Sequence, residues 1–179
     1  MSASKSMATA EVLCIPLESP DFDLAEFVPY ILAALTSYLT GIKSRAVAPF
    51  EIALAEWRVL VCLSRHESCS LNDIVDFTGL KQSSLSRIIV RMSKKGLLRH
   101  LKRRSDYRYR DIRITEHGRH VCREATAAVQ AECDRFLGLL SVPERHALVG
   151  AIKKLLSSIP DPDRPAGFSQ LDTGDAALR

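Results

Sequence analysis

The sequence predicts a mainly α-helical fold of six helices carrying one small β-hairpin. Three observations predict it. Between about residues 21 and 160 the apolar side chains recur at three- and four-residue steps, the period of helices that bury one face. The pattern breaks once, over 97–114, where two short segments of β type are joined by an Arg-rich tip. Basic residues gather on the same stretch. Lys81 to Arg113 holds twelve Lys and Arg against Asp106 and Asp111, a local net of about +10 in a chain of net +4, so the remainder sums to about −6.

The elements follow in order. Leu24, Phe27, Val28, Ile31, Leu32, Leu35 and Leu39 predict a long first helix from about Asp23 to Arg45, capped by Asp21 or Asp23. Pro49 closes the connection after it. A second helix spans about Leu54 to Arg65, with Leu54, Trp57, Leu60, Val61 and Ser64 inward. A short third, Leu71 to Thr78, ends at Gly79, where a left-handed residue is expected. The fourth covers about Gln82 to Lys95, with Leu85, Ile88, Ile89 and Met92 on one face, and Gly96 stops it. Leu97 to Arg103 and Tyr109 to Ile114 read as a strand and its return. Thr115 caps a long fifth helix reaching about Leu140, and Pro143 fits the first turn of a sixth, striped by Leu148, Ile152, Leu155, Leu156 and Ile159.

Residues 1–20 lack periodicity and read as a flexible N-terminal arm. Residues 161–179, rich in Pro and Gly, read as a disordered tail. Between them the chain divides into the helical segments 21–50 and 116–160 and a central region, 51–115, that holds the shorter helices and the hairpin.

Composition excludes several function classes. The apolar content of 46% and charged content of 26% are those of an ordinary globular protein. The few aromatics, 6%, argue against single-strand binding by base stacking. Five cysteines (Cys14, Cys62, Cys69, Cys122, Cys133) without a CxxC argue against zinc ribbons and disulfide scaffolds. Phe27 to Leu39 is too short to span a bilayer, and Met1 to Thr9 lacks the apolar run of a signal peptide. The expectation is a cytoplasmic protein with no membrane partner. His117, His120 and Cys122 are close in sequence but lack the further ligands of a tetrahedral site, so neither metal nor cofactor is expected. With no nucleophile elbow, phosphate loop or paired carboxylates, an enzyme is not expected.

Charge this concentrated repels itself unless a polyanion answers it. Two helices joined by Gly79-Leu80-Lys81 form a helix-turn-helix, whose second helix keeps a dry face on the core while its N-terminal polar side chains reach a groove. Gln82, Ser83, Ser84, Ser86 and Arg87 occupy those first turns and suit phosphates and base edges. Arg104, Arg108 and Arg110 lie near the hairpin tip, and a narrow minor groove draws inserted Arg. Asp106 would pair with a neighbouring Arg and hold the tip's shape. Double-stranded DNA is the expected partner.

Five segments carry a family resemblance: Leu54-Ala-Glu-Trp-Arg-Val-Leu60, Leu80-Lys-Gln-Ser-Ser-Leu-Ser-Arg87, Met92-Ser-Lys-Lys-Gly-Leu-Leu98, Asp106-Tyr-Arg108 and Ile114-Thr-Glu-His-Gly118. In this order and spacing, spanning about Leu24 to Ile159, the chain resembles the MarR-type winged-helix transcriptional regulators. The resemblance implies a winged helix-turn-helix in an intertwined homodimer. Ser83, Ser84, Ser86 and Arg87 would lie on the recognition helix. Asp106 and Arg108 match the wing motif Asp-x-Arg, whose Arg enters the minor groove. The first, fifth and sixth helices would form the dimer interface. Such dimers bind short palindromes and usually repress, letting go when a small molecule or an oxidant arrives.

By the same resemblance an effector pocket would be lined by the first, second and fifth helices, with Ser37, Tyr38, Arg45, Trp57 and Arg58 as candidates. An Arg beside aromatics suits an aromatic acid or its CoA thioester. The alternative is a peroxide- or thiol-sensing repressor on the same fold, although Cys14 precedes the first helix, and Cys62, Cys122 and Cys133 read as small buried hydrophobes. Three departures from the family pattern stand out: Ala53 where a capping Thr or Ser is usual, Lys81 where an Asp often caps the recognition helix, and a longer N-terminal arm.

Overall fold

The computed structural model describes residues 23–102 and 110–160. Six α-helices and one two-stranded antiparallel sheet run in the order α1 (Val28–Val47), α2 (Leu54–Arg65), α3 (Leu71–Thr78), α4 (Gln82–Lys94), β1 (Leu98–Lys102), β2 (Arg110–Ile114), α5 (Glu116–Leu137) and α6 (Val142–Ser157). A 3-10 turn, Ala48–Phe50, joins α1 to α2. The proposed N-terminal arm and C-terminal tail, Cys14, and the hairpin tip with Arg104, Asp106 and Arg108 lie outside the described residues.

The chain divides into two compact units, Met1–Gly41 and Ile42–Arg179. In the first, α1 starts five residues later than the periodicity predicts. Pro29 is the reason: deeper in a helix it would lack an N–H to donate and would clash with the preceding turn, so it is held to the first turn. Asp23 instead accepts from the Ala25 N–H at 2.8 Å in a separate turn.

The second unit is built around α2. Val59, Leu60, Cys62, Leu63 and Glu56 are all buried, because α3, α4, α5 and β2 all pack on this helix. A single inward stripe is therefore too narrow a description of it: Trp57 and Val61 are half-buried and Ser64 is exposed, while Val59 and Leu63 are fully covered. The core continues through Ile74, Leu85, Ile88, Ile89, Met92, Leu97, Leu98, Ile112, Ile114, Ala125 and Val129.

Local chemistry sets the boundaries. Ser70 accepts from Asp73 N–H at 3.2 Å while Asp73 accepts from Ser70 N–H at 2.7 Å, a reciprocal cap at the start of α3. Gly79 ends α3 at φ 65°, the left-handed region that a side chain disfavours, and its N–H donates to Val75 O. Thr115 caps α5 by accepting from Gly118 N–H at 3.0 Å and donates to Gly96 O at 2.6 Å, stitching the end of α4 to the start of α5. Gly118 permits that closeness: a Cβ there would sit 2.0 Å from Leu97 O. Ser141 and Glu144 cap α6.

The hairpin register pairs Leu98 with Ile114, Arg99 with Arg113, His100 with Ile112, Leu101 with Asp111 and Lys102 with Arg110. Cys69 adds a short third rung, its N–H donating to Ile112 O at 3.0 Å and its carbonyl accepting from Ile112 N–H at 2.8 Å. This is the winged helix-turn-helix arrangement. No residue of α6 is buried.

Candidate nucleic-acid interface

The turn Gly79-Leu80-Lys81 fixes α4 against α3, and α4 divides cleanly by chemistry. Leu85, Ile88, Ile89 and Met92 are buried, while Gln82, Ser83, Ser84, Ser86, Arg87 and Val90 are exposed. The five predicted DNA-contact residues of this helix thus share its outer surface. Ser86 Oγ donates to Gln82 O at 3.0 Å, a bond it can exchange for an external acceptor. Lys81 stands at the N-cap and makes no side-chain cap, so the first N–H groups of α4 remain available to an anion.

Arg110 enters the hairpin by pairing with Lys102 at its outer end. Arg99 and Arg113 stand directly opposite each other, an unfavourable like-charge pair in isolation. Arg113 is relieved by Glu67, to which its guanidinium donates at 2.5 Å. This pair also ties β2 to the α2–α3 connection.

Glu56 is the site residue that the sequence reading missed. It is 1% exposed, yet accepts from Arg91 Nε at 2.7 Å, Lys95 Nζ at 3.3 Å and the Ala53 N–H at 2.8 Å. Burial pushes its carboxyl up, but Arg91, the Ala53 N–H and Lys95 outweigh that and hold it below the ordinary value. Ala53 lacks a capping hydroxyl, so only the return half of the usual reciprocal cap forms. The available signal was local: a Glu three residues after the helix start.

The effector candidates fall in both units, Ser37 and Tyr38 in the first and Arg45, Trp57 and Arg58 in the second. Ser37 and Tyr38 are exposed on the part of α1 in the first unit. Arg58 is spent on the Thr78 carbonyl, to which its guanidinium donates. Arg45 lines a cavity of about 380 Å³ with Ile42, Ala46, Pro49, Ala128 and Glu132. Trp57 Nε1 donates to Thr126 Oγ1, and Thr126 lines a second cavity of about 510 Å³ with Ser64, Arg119, Cys122, Arg123 and Gln130. Arg119 and Arg123 were not singled out from sequence; their four-residue spacing on α5 was the signal.

Among the thiols, Cys62, Cys69 and Cys122 are buried and free. The hydrogen bond between Cys62 and Cys69 raises the Cys62 thiol and lowers that of Cys69. Burial pushes Cys122 up. Among the described residues, no cluster of three His, Cys, Asp or Glu could hold a metal ion, and no helix is long and apolar enough to cross a membrane.

Residues 52–109 match the MarR family model. The transcriptional repressor IacR of Pseudomonas putida is 29% identical over 100 residues, 56% of this chain and 60% of that protein, so the chain spans less than two thirds of this relative. Solved structures share the fold, among them the following two. BpsR of Bordetella bronchiseptica, whose DNA binding is regulated by 6-hydroxynicotinic acid, superposes with a TM-score of 0.67 at 24% identity over 78% of this chain and 99% of its own. CouR of Rhodococcus jostii, bound to p-coumaroyl-CoA, gives 0.66 at 21% over 79% and 96%.

Proposed function

We propose that the chain, whose residues 52–109 match the MarR family model, is a transcriptional regulator of that kind: a repressor that binds a palindromic DNA operator as a homodimer and is released by a small organic anion. One observation carries this reading: α4 holds Gln82, Ser83, Ser84, Ser86 and Arg87 outward over a dry Leu85/Ile88/Ile89/Met92 face, inside a helix-turn-helix. In this reading 51–115 is the DNA-binding region. Ser83, Ser84 and Ser86 reach phosphates and base edges, Gln82 suits adenine and Arg87 suits guanine. Arg104, Arg108 and Arg110 carry the wing into the minor groove, with Asp106 shaping its tip.

Dimerisation is proposed through 21–50 and 116–160. It is supported by the apolar surface these elements expose: Val28, Ile31 and Leu32 on α1, Val149, Ile152 and Leu155 on α6. In this reading the chain regulates rather than catalyses, and it acts in the cytoplasm.

The effector is proposed to be an aromatic acid or its CoA thioester. Two arginines, Arg119 and Arg123, on the rim of the cavity between α2 and α5 suit a carboxylate, and Trp57 borders it through Thr126. Arg45 remains a candidate in the smaller cavity.

The test is a mobility-shift titration of the full chain against a duplex enriched from a random pool, with a scrambled duplex beside it. Arg87→Ala should lower preference for the enriched duplex more than it lowers affinity for the scrambled one, and Arg108→Ala should weaken both and flatten the salt dependence. Equal losses for Arg87→Ala, or wild-type behaviour of Arg108→Ala, would contradict the roles given.

One observation favours a second reading, a peroxide- or thiol-sensing repressor: Cys69 is hydrogen-bonded to Cys62 and also pairs with Ile112 of the wing strand. Peroxide would oxidise one thiol to a sulfenic acid, and the other would displace water to close a disulfide. Loss of DNA binding on organic peroxide, absent in Cys69→Ser, separates this from ligand release.

A further inference from the structure

The apolar contacts of α4 decide which face turns inward, and directional contacts set its finer rotation. Leu85, Ile88, Ile89 and Met92 pack without directional preference. Rotation decides which side chains face outward, since neighbours along a helix are 100° apart. The directional contacts are those of Glu56. Arg91 of α4 donates to it at 2.7 Å, and Lys95, the residue that closes α4, donates to it at 3.3 Å. Lys95 also donates to the Glu51 carbonyl at 2.6 Å, so the same end of α4 is pinned to the chain just before α2. Glu56 itself cannot drift: it is buried and its second oxygen is also fixed by the Ala53 N–H at 2.8 Å. Charge-assisted bonds of this kind are short, strong and angularly selective.

We infer that Glu56 is a positioning residue for DNA reading, setting the rotation of the recognition helix through Arg91 and Lys95 and holding both cations off the phosphates. The inference rests on the DNA-binding function proposed above. It is selective about consequence. Removing the carboxylate leaves the reading side chains intact but lets α4 shift slightly within its packing, so sequence discrimination falls. It also frees two partly exposed cations (Arg91 at 52%, Lys95 at 37%), so attraction to any duplex rises.

The experiment uses the full chain, a duplex enriched from a random pool by the wild-type protein, and a scrambled duplex of the same length. Glu56→Gln keeps an acceptor for the Ala53 N–H while deleting the charge. It should lower the preference for the enriched duplex by about tenfold. It should also steepen the salt dependence on scrambled DNA by about one counterion. Arg91→Gln, at an exposed position, should lose the same discrimination, and the double variant should lose no more than Arg91→Gln alone, within about twofold. Melting temperatures are read on the same samples. A lower melting point with discrimination and salt dependence unchanged would reduce Glu56 to scaffolding and overturn the inference, as would additive losses in the double variant. If Glu56→Gln does not fold, an Arg91→Gln protein that keeps full discrimination overturns it equally. A wild-type chain that enriches no duplex would instead defeat the DNA-binding reading itself.

Discussion

Trp57 Nε1 donates to Thr126 Oγ1 at 3.1 Å, clasping α2 to α5 at the edge of the larger cavity. Trp57 is the one tryptophan of the chain, so its emission reports on this clasp. Thr126→Val keeps the shape and strands the indole donor. It should cost about 1 kcal/mol in urea unfolding and alter the emission of the folded state. An aromatic acid that enters the cavity should quench or shift the same emission. Saturable binding by calorimetry with no change in emission would move the effector elsewhere.

Gly118→Ala should be severe. The added Cβ would lie 2.0 Å from the Leu97 carbonyl and 2.9 Å from Ile114 Cγ1, and the obstructing atom is backbone, which cannot swing aside. A loss of about 3 kcal/mol is expected from such overpacking. The measurement is chemical denaturation. A loss below about 1 kcal/mol would mean that the junction of α4, β1 and α5 yields easily.

Acid should weaken the fold through Glu56. Its carboxyl is held below the ordinary value in the folded state, so ionisation stabilises the protein above the unfolded value of 4.5, and that contribution is lost as pH falls through the folded value. Urea midpoints taken from pH 7 down to 3 should therefore fall more for the wild type than for Glu56→Gln, and the two curves should converge at the acid end. Parallel curves would show that other carboxylates govern acid unfolding.

Ile152→Glu should break the proposed dimer. Ile152 is 37% exposed on a helix with no buried residue, flanked by exposed Val149 and Leu155. Sedimentation velocity should show a monomer, and affinity for the enriched duplex should fall by roughly a hundredfold as two tethered contacts become one. A dimer that persists would assign this surface to another partner.

Features written in nearby residues were legible in the sequence. The ends of α2 and α3, the hairpin and the cap at Thr115 depend on side chains within a few positions, and the dry face of α4 follows from its period. The start of α1 was misplaced because the apolar spacing runs on through Pro29, and the constraint on that ring outweighs the period. Glu56 stayed hidden for a different reason. A carboxylate in a first helical turn ordinarily faces water, and its burial depends on Arg91 and Lys95, 35 and 39 positions away. The cavity lining was not legible, because Arg119 and Arg123 come to line it only once α5 packs on α2.

The outward side chains of α4 from Ser83 to Val90 carry no part of the interior, while its inward ones carry no chemistry. Vocabulary and binding of the book are thus separate. Under the proposed DNA-binding function, exchanging Ser83, Ser84, Arg87 or Val90 would change the sequence preferred with little cost to the architecture that presents them, and retargeting would take the same few codons.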